Sequence, residues 1–285
     1  MTPTDKRNRL RAILKGDVCK SPATVWDALS ARVAEAAGFE CGILSGSVSA
    51  TTVLGAPDLA LQTLGEFAAQ VRCVTRASDL SVFVDADQGY GNALNAMRTV
   101  EELEHAGLAG LAIEDLVMPA HFGRKGALEL TSVPEAVGKL KAALSARSDP
   151  SLVIAARTAA LRVDPIAQVV ERTRAYAGTG VDALFLSGLK KLEDLDAIRA
   201  AVDIPIIVGS TPGIRGADLQ KRGVRFRLQG HAVLAAVAKA MYDTYMHLKA
   251  EGDPEALKPR LATPEEMARL LKAADYQRLS DTYLN

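Results

Sequence analysis

Leu80-Ser81-Val82-Phe83-Val84-Asp85-Ala86-Asp87-Gln88-Gly89-Tyr90-Gly91-Asn92 is the stretch on which the reading of this chain turns. Residues 81–84 form an apolar, largely β-branched run of the kind that makes a buried strand. The run ends in Asp85-Ala86-Asp87. Residues i and i+2 of a strand share a face, so the two carboxylates point the same way. They repel unless something positive lies between them, and a hard divalent cation with oxygen ligands, Mg²⁺ or Mn²⁺, meets that need. Gly89 and Gly91 let the backbone turn sharply and approach a ligand. Asn92 is placed to cap the helix that follows. Alone, an Asp-x-Asp tripeptide is more often a solvated turn. Its place in a repeating pattern changes the reading.

That pattern extends in both directions. Strands are expected at 18–24, 41–44, 81–84, 110–113, 152–156, 183–186, 205–208 and 225–228. Helices are expected at 4–15, 27–37, 65–78, 93–106, 132–146, 164–177, 191–201 and 216–222, and in a long segment ending near 250. Strand–helix alternation at this spacing means parallel strands joined by crossover helices. Eight such units fit a (β/α)₈ TIM barrel, with a doubly wound open sheet as the alternative. The whole chain, 1–285, reads as one barrel domain, with 251–285 a C-terminal helical extension whose last helix is expected over 264–279.

In a barrel, the residues just past each strand converge on one mouth, where active sites are built. Here these are Ser45 and Ser47, Asp85 and Asp87, Glu114, Arg157, Ser187, Thr211 and His231. Acids on strands three and four with a cation on strand five argue for a metal site that also binds an anion. A strand-end arginine facing a mouth needs an anionic partner. His231 reads equally as the cap of the helix after strand eight. Tyr90 reads as a wall of the site, and Asp115 as a structural partner beside Glu114.

Composition sets the frame. The chain is 48% hydrophobic and 24% charged with zero formal net charge, so no basic excess points to nucleic acid or a membrane surface. No apolar run approaches the roughly 20 residues that span a bilayer, and the N-terminus lacks a secretory signal. Cys19, Cys41 and Cys73 make no metal-ligand spacing and read as reduced, mostly buried thiols. A cytoplasmic enzyme is expected.

The motifs then carry a resemblance. Trp26-Asp27-Ala28-Leu29-Ser30-Ala31, Ser45-Gly46-Ser47, Asp85-x-Asp87-x-Gly89-Tyr90-Gly91-Asn92, Ile113-Glu114-Asp115 and Ala155-Ala156-Arg157-Thr158 resemble the isocitrate lyase/phosphoenolpyruvate mutase superfamily over residues 20–235. The resemblance implies a barrel that binds Mg²⁺, with Mn²⁺ as a substitute, and a small 2-oxo acid or its enolate. It implies that Asp85 holds the metal directly or through water, and that Asp87 and Glu114 hold metal-bound waters. Ser45, Gly46 and Ser47 would take the substrate's carboxylate and oxo group, and Arg157 would pair with the carboxylate. Asp58 matches an aspartate near the site in several members. A homotetramer with exchanged C-terminal helices is implied as well, which would suit residues 264–285.

The departures from that pattern select the reaction. The superfamily's carbon–carbon lyases carry a Lys-Lys-Cys-Gly-His lid after strand four, whose cysteine is the acid or base. Here the loop reads Met118-Pro119-Ala120-His121-Phe122-Gly123-Arg124-Lys125, without cysteine. That loop and Gly230-His231 resemble the oxaloacetate decarboxylase branch. Gln88 and Ala159 depart from that branch's usual His and Asn, and Gly209-Ser210-Thr211 also looks altered. The expected reaction is Mg²⁺-dependent decarboxylation of oxaloacetate to pyruvate and CO₂ through an enolate. Asp85, Arg157 and His231 are the candidate catalytic residues. The alternatives are a lyase acting on a methylisocitrate- or substituted-malate-like acid and a phosphonate-processing enzyme. Residues 117–129 are expected to form a mobile lid that supplies no acid, with Arg124 and Lys125 assisting entry or closure.

Overall fold

Eight parallel strands, hydrogen-bonded in sequence order, carry the fold in this computed structural model, which describes residues 1–123, 126 and 128–284. Chain order begins α1 (Pro3–Lys15), β1 (Ala23–Thr24), α2 (Ala28–Ala36), β2 (Cys41–Leu44), α3 (Gly46–Ser49), α4 (Leu64–Ala77), β3 (Ser81–Asp85) and α5 (Ala93–His105). It continues with β4 (Gly110–Glu114), α6 (Val133–Ala146), β5 (Val153–Thr158), α7 (Ile166–Ala177), β6 (Ala183–Leu186) and α8 (Leu192–Ala201). It closes with β7 (Ile206–Val208), α9 (Gly216–Gln220), β8 (Val224–Arg227), α10 (Ala232–Lys249), α11 (Pro264–Leu270) and α12 (Ala273–Tyr283).

The sheet closes on itself through one residue. Lys20 N–H donates to Arg225 C=O at 2.9 Å, and Arg227 N–H donates to Lys20 C=O at 3.0 Å. Lys20 thereby bridges β8, while Ala23 and Thr24 pair with β2. Of the strand expected over 18–24, only this bridge and β1 are extended and paired. Thr24 Oγ1 adds a bond to Gly230 C=O at 3.2 Å, tying the β1 end to the turn that carries His231.

Strand alternation sorts the core into two shells. Cys41, Ile43, Phe83, Ala112, Val153, Ala155, Ala183, Phe185, Ile207 and Phe226 pack inside the barrel, with Leu10 and Leu14 of α1 closing its N-terminal end. The intervening residues, such as Val82, Val84, Leu111, Ile154 and Leu184, pack outward against the helices. The same parity carries on to the polar strand ends. Asp85 follows Phe83, Glu114 follows Ala112 and Arg157 follows Ala155, so all three belong to the inner face at the C-terminal mouth.

Helix starts obey local chemistry. Thr2, Thr63 and Asn92 each form a capping box with the residue three positions on, Asp5, Glu66 and Asn95. Gly91 leads into the last of these at φ 147°, and a Cβ there would collide with the Asn95 amide. The expected last helix over 264–279 is instead two, broken where Lys272 turns left-handed at φ 53°. Cys19 is half-buried, Cys41 buried and Cys73 exposed, all three free, so the expectation of mostly buried thiols fails at Cys73. Among the described residues, no helix is long and apolar enough to cross a membrane.

Candidate active site

A cavity of about 200 Å³ opens at the barrel mouth, and its wall includes Ser45, Ser47, Asp58, Asp85, Arg157 and His231. Thr24, Ser187, Ser210 and Phe185 also line it. Glu114, outside the cavity wall, meets the same Nη1 of Arg157 that Asp85 meets. The expected residues therefore come from six different strand ends, as the barrel topology requires.

Charge is concentrated at Arg157. Its guanidinium touches Asp85 Oδ2 directly and lies 3.2 Å from Glu114 Oε2. It also sits over the Phe185 ring, 5.0 Å from the centroid, which fixes its plane. Strand register explains the contact, because Glu114 is the cross-strand partner of Arg157 and Arg157 that of Phe185. In this structure the positive charge between the carboxylates is thus an arginine. The cluster is not saturated, however. Asp85 Oδ1, Glu114 Oε1 and Arg157 Nε are all buried without a hydrogen-bond partner among the described residues.

The other acids feel the same crowding. Burial, with some repulsion from Asp85, pushes the Asp87 carboxyl up to about 7. Burial also pushes Glu114 up to about 8, against the pull of Arg157. Burial raises Asp58 too, and Asp85 adds to the rise. Asp87 itself sits at φ 46°. Its carbonyl accepts from Glu114 N–H at 2.7 Å, which locks the β3 and β4 ends together. Its carboxylate fills the space where a Cβ on residue 46 would stand, so Gly46 is required there. Buried carboxylates with orphaned oxygens, held apart from neutral partners, suit a hard cation. Among the described residues, no three His, Cys, Asp or Glu side chains gather into a closed metal cage. Mg²⁺ needs none, since it keeps several waters and takes one or two protein carboxylates.

Opposite the acids lies a hydroxyl–imidazole chain. Ser45 Oγ and Ser47 Oγ are 3.1 Å apart, and Ser47 Oγ and His231 Nε2 are 2.9 Å apart. Ser45 also caps the short helix α3 by accepting from Val48 N–H. The expected Ser45–Gly46–Ser47 turn is thus a helix start that leads into a π-helical turn over Ala50–Leu54. His231 stands at the N-cap position of α10 but makes no capping bond with its side chain. The alternative of a mere cap is not what its ring does.

Tyr90, read as a wall of the site, packs on Phe67 with ring centroids 6.2 Å apart, and burial and the nearby Asp87 and Asp85 carboxylates raise its hydroxyl above the usual phenol range. Other residues fall elsewhere than expected. Thr211 is buried with its hydroxyl unpartnered and does not line the cavity. Gln88 donates to Met118 C=O at 2.9 Å, anchoring the loop after β4. Arg124 and Lys125, expected to assist entry or closure, lie outside the described residues. Sequence reasoning missed Phe185 and Thr24. Strand parity marks Phe185, two residues before Ser187, whereas nothing in the short β1 segment singles out Thr24.

A parallel eight-stranded barrel whose C-terminal mouth gathers carboxylates, an arginine and hydroxyls defines an enzyme acting on a small anion. The phosphoenolpyruvate phosphomutase family model matches residues 10–249, and the chain belongs to that family. A protein of Bradyrhizobium diazoefficiens named oxaloacetate decarboxylase is 48% identical over 272 residues, covering 95% of this chain and 94% of its own. A phosphoenolpyruvate phosphomutase structure from Streptomyces platensis subsp. rosaceus matches with a TM-score of 0.88 at 28% identity, covering 98% of this chain and 99% of that one. A phosphonopyruvate hydrolase structure with oxalate and Mg²⁺ matches with a TM-score of 0.86 at 26% identity, covering 100% of both chains.

Proposed function

We propose that this chain decarboxylates oxaloacetate to pyruvate and CO₂ with a divalent metal at Asp85, Asp87 and Glu114. The observation that carries the reading is the unsaturated Asp85–Arg157–Glu114 cluster opening on a small mouth cavity. Mg²⁺, when bound, supplies Lewis acidity to the carboxylate and oxo oxygens of a 2-oxo acid; Mn²⁺ is expected to replace it. The similarity to the Bradyrhizobium protein supports the choice of substrate.

The residues divide the remaining work. Arg157 pairs with the C1 carboxylate, for which its fork geometry is suited. Ser45 and Ser47 hydroxyls and the backbone N–H groups at Gly46 and Ser47 face the C2 oxygen and stabilise charge that develops there. The C3–C4 bond breaks, its electron pair passes into the C2 carbonyl, and the C4 carboxylate leaves as neutral CO₂. That carboxylate is already ionised, so the step needs no general base, which accounts for the loop without cysteine. His231, hydrogen-bonded through Ser47, is the group we assign to return a proton to C3.

The cavity, at about 200 Å³, is smaller than the roughly 300–1,000 Å³ typical of drug-sized ligand sites. That favours a four-carbon oxo acid over a branched triacid. Oxaloacetate should therefore be turned over and 2-methylisocitrate should not, with oxalate competing. His121 is exposed in the loop after β4 and outside the cavity wall, so His121→Ala should keep at least about half of the wild-type kcat. Cleavage of 2-methylisocitrate that disappears in His121→Ala would replace the decarboxylase reading with the lyase one.

We also propose a homotetramer in the cytoplasm; the three free thiols support a reducing compartment. Helix α10 has no buried residue, and Val233, Val237, Met241 and Tyr245 form an exposed i, i+4 stripe along it. The stripe faces a groove walled by Leu29, Val33 and Phe39. A soluble protomer seldom leaves an 18-residue helix uncovered on this scale, so this helix, together with α11 and α12, which also bury no residue, is the surface a second copy covers. Met241→Glu should shift the mass measured by light scattering to a smaller assembly; an unchanged mass would rule out this surface.

A further inference from the structure

The Asp85–Arg157–Glu114 cluster is braced from behind, through Asp115 and Thr158, by two residues that no motif marks, Arg172 and Tyr176. Asp115 and Thr158 follow Glu114 and Arg157 directly, so strand alternation turns them to the outer face of the sheet. There Asp115 is 3% exposed. Its carboxylate accepts from Thr158 Oγ1 at 2.6 Å, Ala159 N–H at 3.2 Å, Tyr176 Oη at 2.8 Å and Arg172 Nη1 at 3.3 Å. Arg172 and Tyr176 lie one turn apart on α7 and bond each other at 2.8 Å. Arg172 Nη1 also donates to Thr131 C=O at 3.0 Å. Thr131 N–H returns to Asp115 C=O at 2.8 Å. Thr131 closes the foot of the 116–130 loop, where Leu116 bridges Leu130 and Val117 N–H meets Glu129 C=O at 2.9 Å. Asp115 and its partners thus fasten together the β4 end, the β5 end and the foot of the loop at Leu116–Val117 and Glu129–Thr131.

We propose that Arg172 and Tyr176 are positioning residues for the reaction: through Asp115 they set the placement of Glu114 against Arg157 and of the loop foot at Thr131. The inference rests on the functional reading above. Simple burial does not account for the arrangement, since an apolar trio of the same volume would be at least as stable as a buried ion pair. What four convergent donors add is geometry. Groups that orient a site's ligand residues from behind are typically worth 10–100-fold in affinity or activity.

The test compares Tyr176→Phe and Arg172→Met with Val169→Ala, a core truncation on the same helix whose side chain takes no part in these hydrogen bonds. Turnover of oxaloacetate, calorimetric binding of oxalate in the presence of Mg²⁺ and Tm are measured for each. Tyr176→Phe should lower kcat and weaken oxalate by about tenfold, Arg172→Met by more, and Arg172→Lys should recover part of the loss. Val169→Ala should lower Tm without moving kcat or the oxalate Kd. Thr158→Val removes a donor from the other side of Asp115 and should act in the same direction, which keeps the proposal testable if Tyr176→Phe does not fold. Variants that lose Tm while kcat and oxalate Kd stay within about twofold of wild type would overturn it. If the wild type binds oxalate but does not turn over oxaloacetate, the functional reading fails, and the oxalate affinities still decide the positioning role.

Discussion

Asp85→Ala is expected to lower kcat for oxaloacetate by at least about 10³-fold, roughly 4 kcal/mol of transition-state stabilisation. Asp85 is the acid of the cluster that both lines the cavity and keeps one carboxylate oxygen free of any partner. It is the residue placed to hold a cation against substrate. The fold should survive. Val84 and Ala86 on either side carry the outward packing, while Asp85 lies in a polar cluster where Glu114 and Asp87 are already disfavoured as anions. Removing one negative charge relieves part of that repulsion, while Arg157 keeps Glu114. Tm should therefore move by less than about 4 °C, the shift that roughly 1 kcal/mol gives in a chain of this size. A chelator should reproduce the loss in the wild type, and Mg²⁺ should reverse it there but not in Asp85→Ala. Substantial turnover by metal-stripped wild type would end the metal reading.

The barrel and its acidic mouth are legible because strand–helix units repeat eight times and because residues two apart in a strand share a face. Ser81 to Asp85 shows it most plainly: Phe83 and Asp85 share the inner face, and the same parity in Ala112–Glu114 and Ala155–Arg157 brings the three charges together. What escaped reading depends on contacts between segments far apart in the chain. Lys20 closes the sheet by pairing with β8, a contact across some 200 residues that no local propensity encodes. Helix α1 reads as a charged, Leu-punctuated helix, yet Leu10 and Leu14 plug the barrel floor. Arg172 and Tyr176 look like ordinary members of an amphipathic helix until Asp115 is seen facing them. Tyr90 has a partner that its flanking glycines do not announce, Phe67, on which its ring packs.

Arg157→Met should have two opposite effects. In the substrate-free structure the guanidinium bridges Asp85 and Glu114, the same oxygens a divalent cation needs. An arginine that neutralises those carboxylates competes with the metal for them, and removing it also removes a repulsion between two cations. Substrate-free enzyme should then bind Mn²⁺ more tightly than wild type, by about tenfold. The pairwise Coulomb term at such distances is a few kcal/mol at an effective dielectric near 20. Protonation of the freed carboxylates offsets part of it, since burial already raises Glu114. Binding of the substrate carboxylate, by contrast, loses its bidentate partner. Oxalate affinity in the presence of Mg²⁺ should fall, and kcat/KM for oxaloacetate should drop by about 10³-fold, because truncating one partner of a buried hydrogen-bonded charge pair across a binding interface costs about 2–5 kcal/mol. Arg157→Lys should lie between, keeping the charge without the fork. Electron paramagnetic resonance of Mn²⁺ titrated into the substrate-free variants reads the first effect without any turnover. If Mn²⁺ affinity instead collapses along with oxalate binding, Arg157 is a brace that shapes the carboxylates for the metal, and the competition between them does not exist.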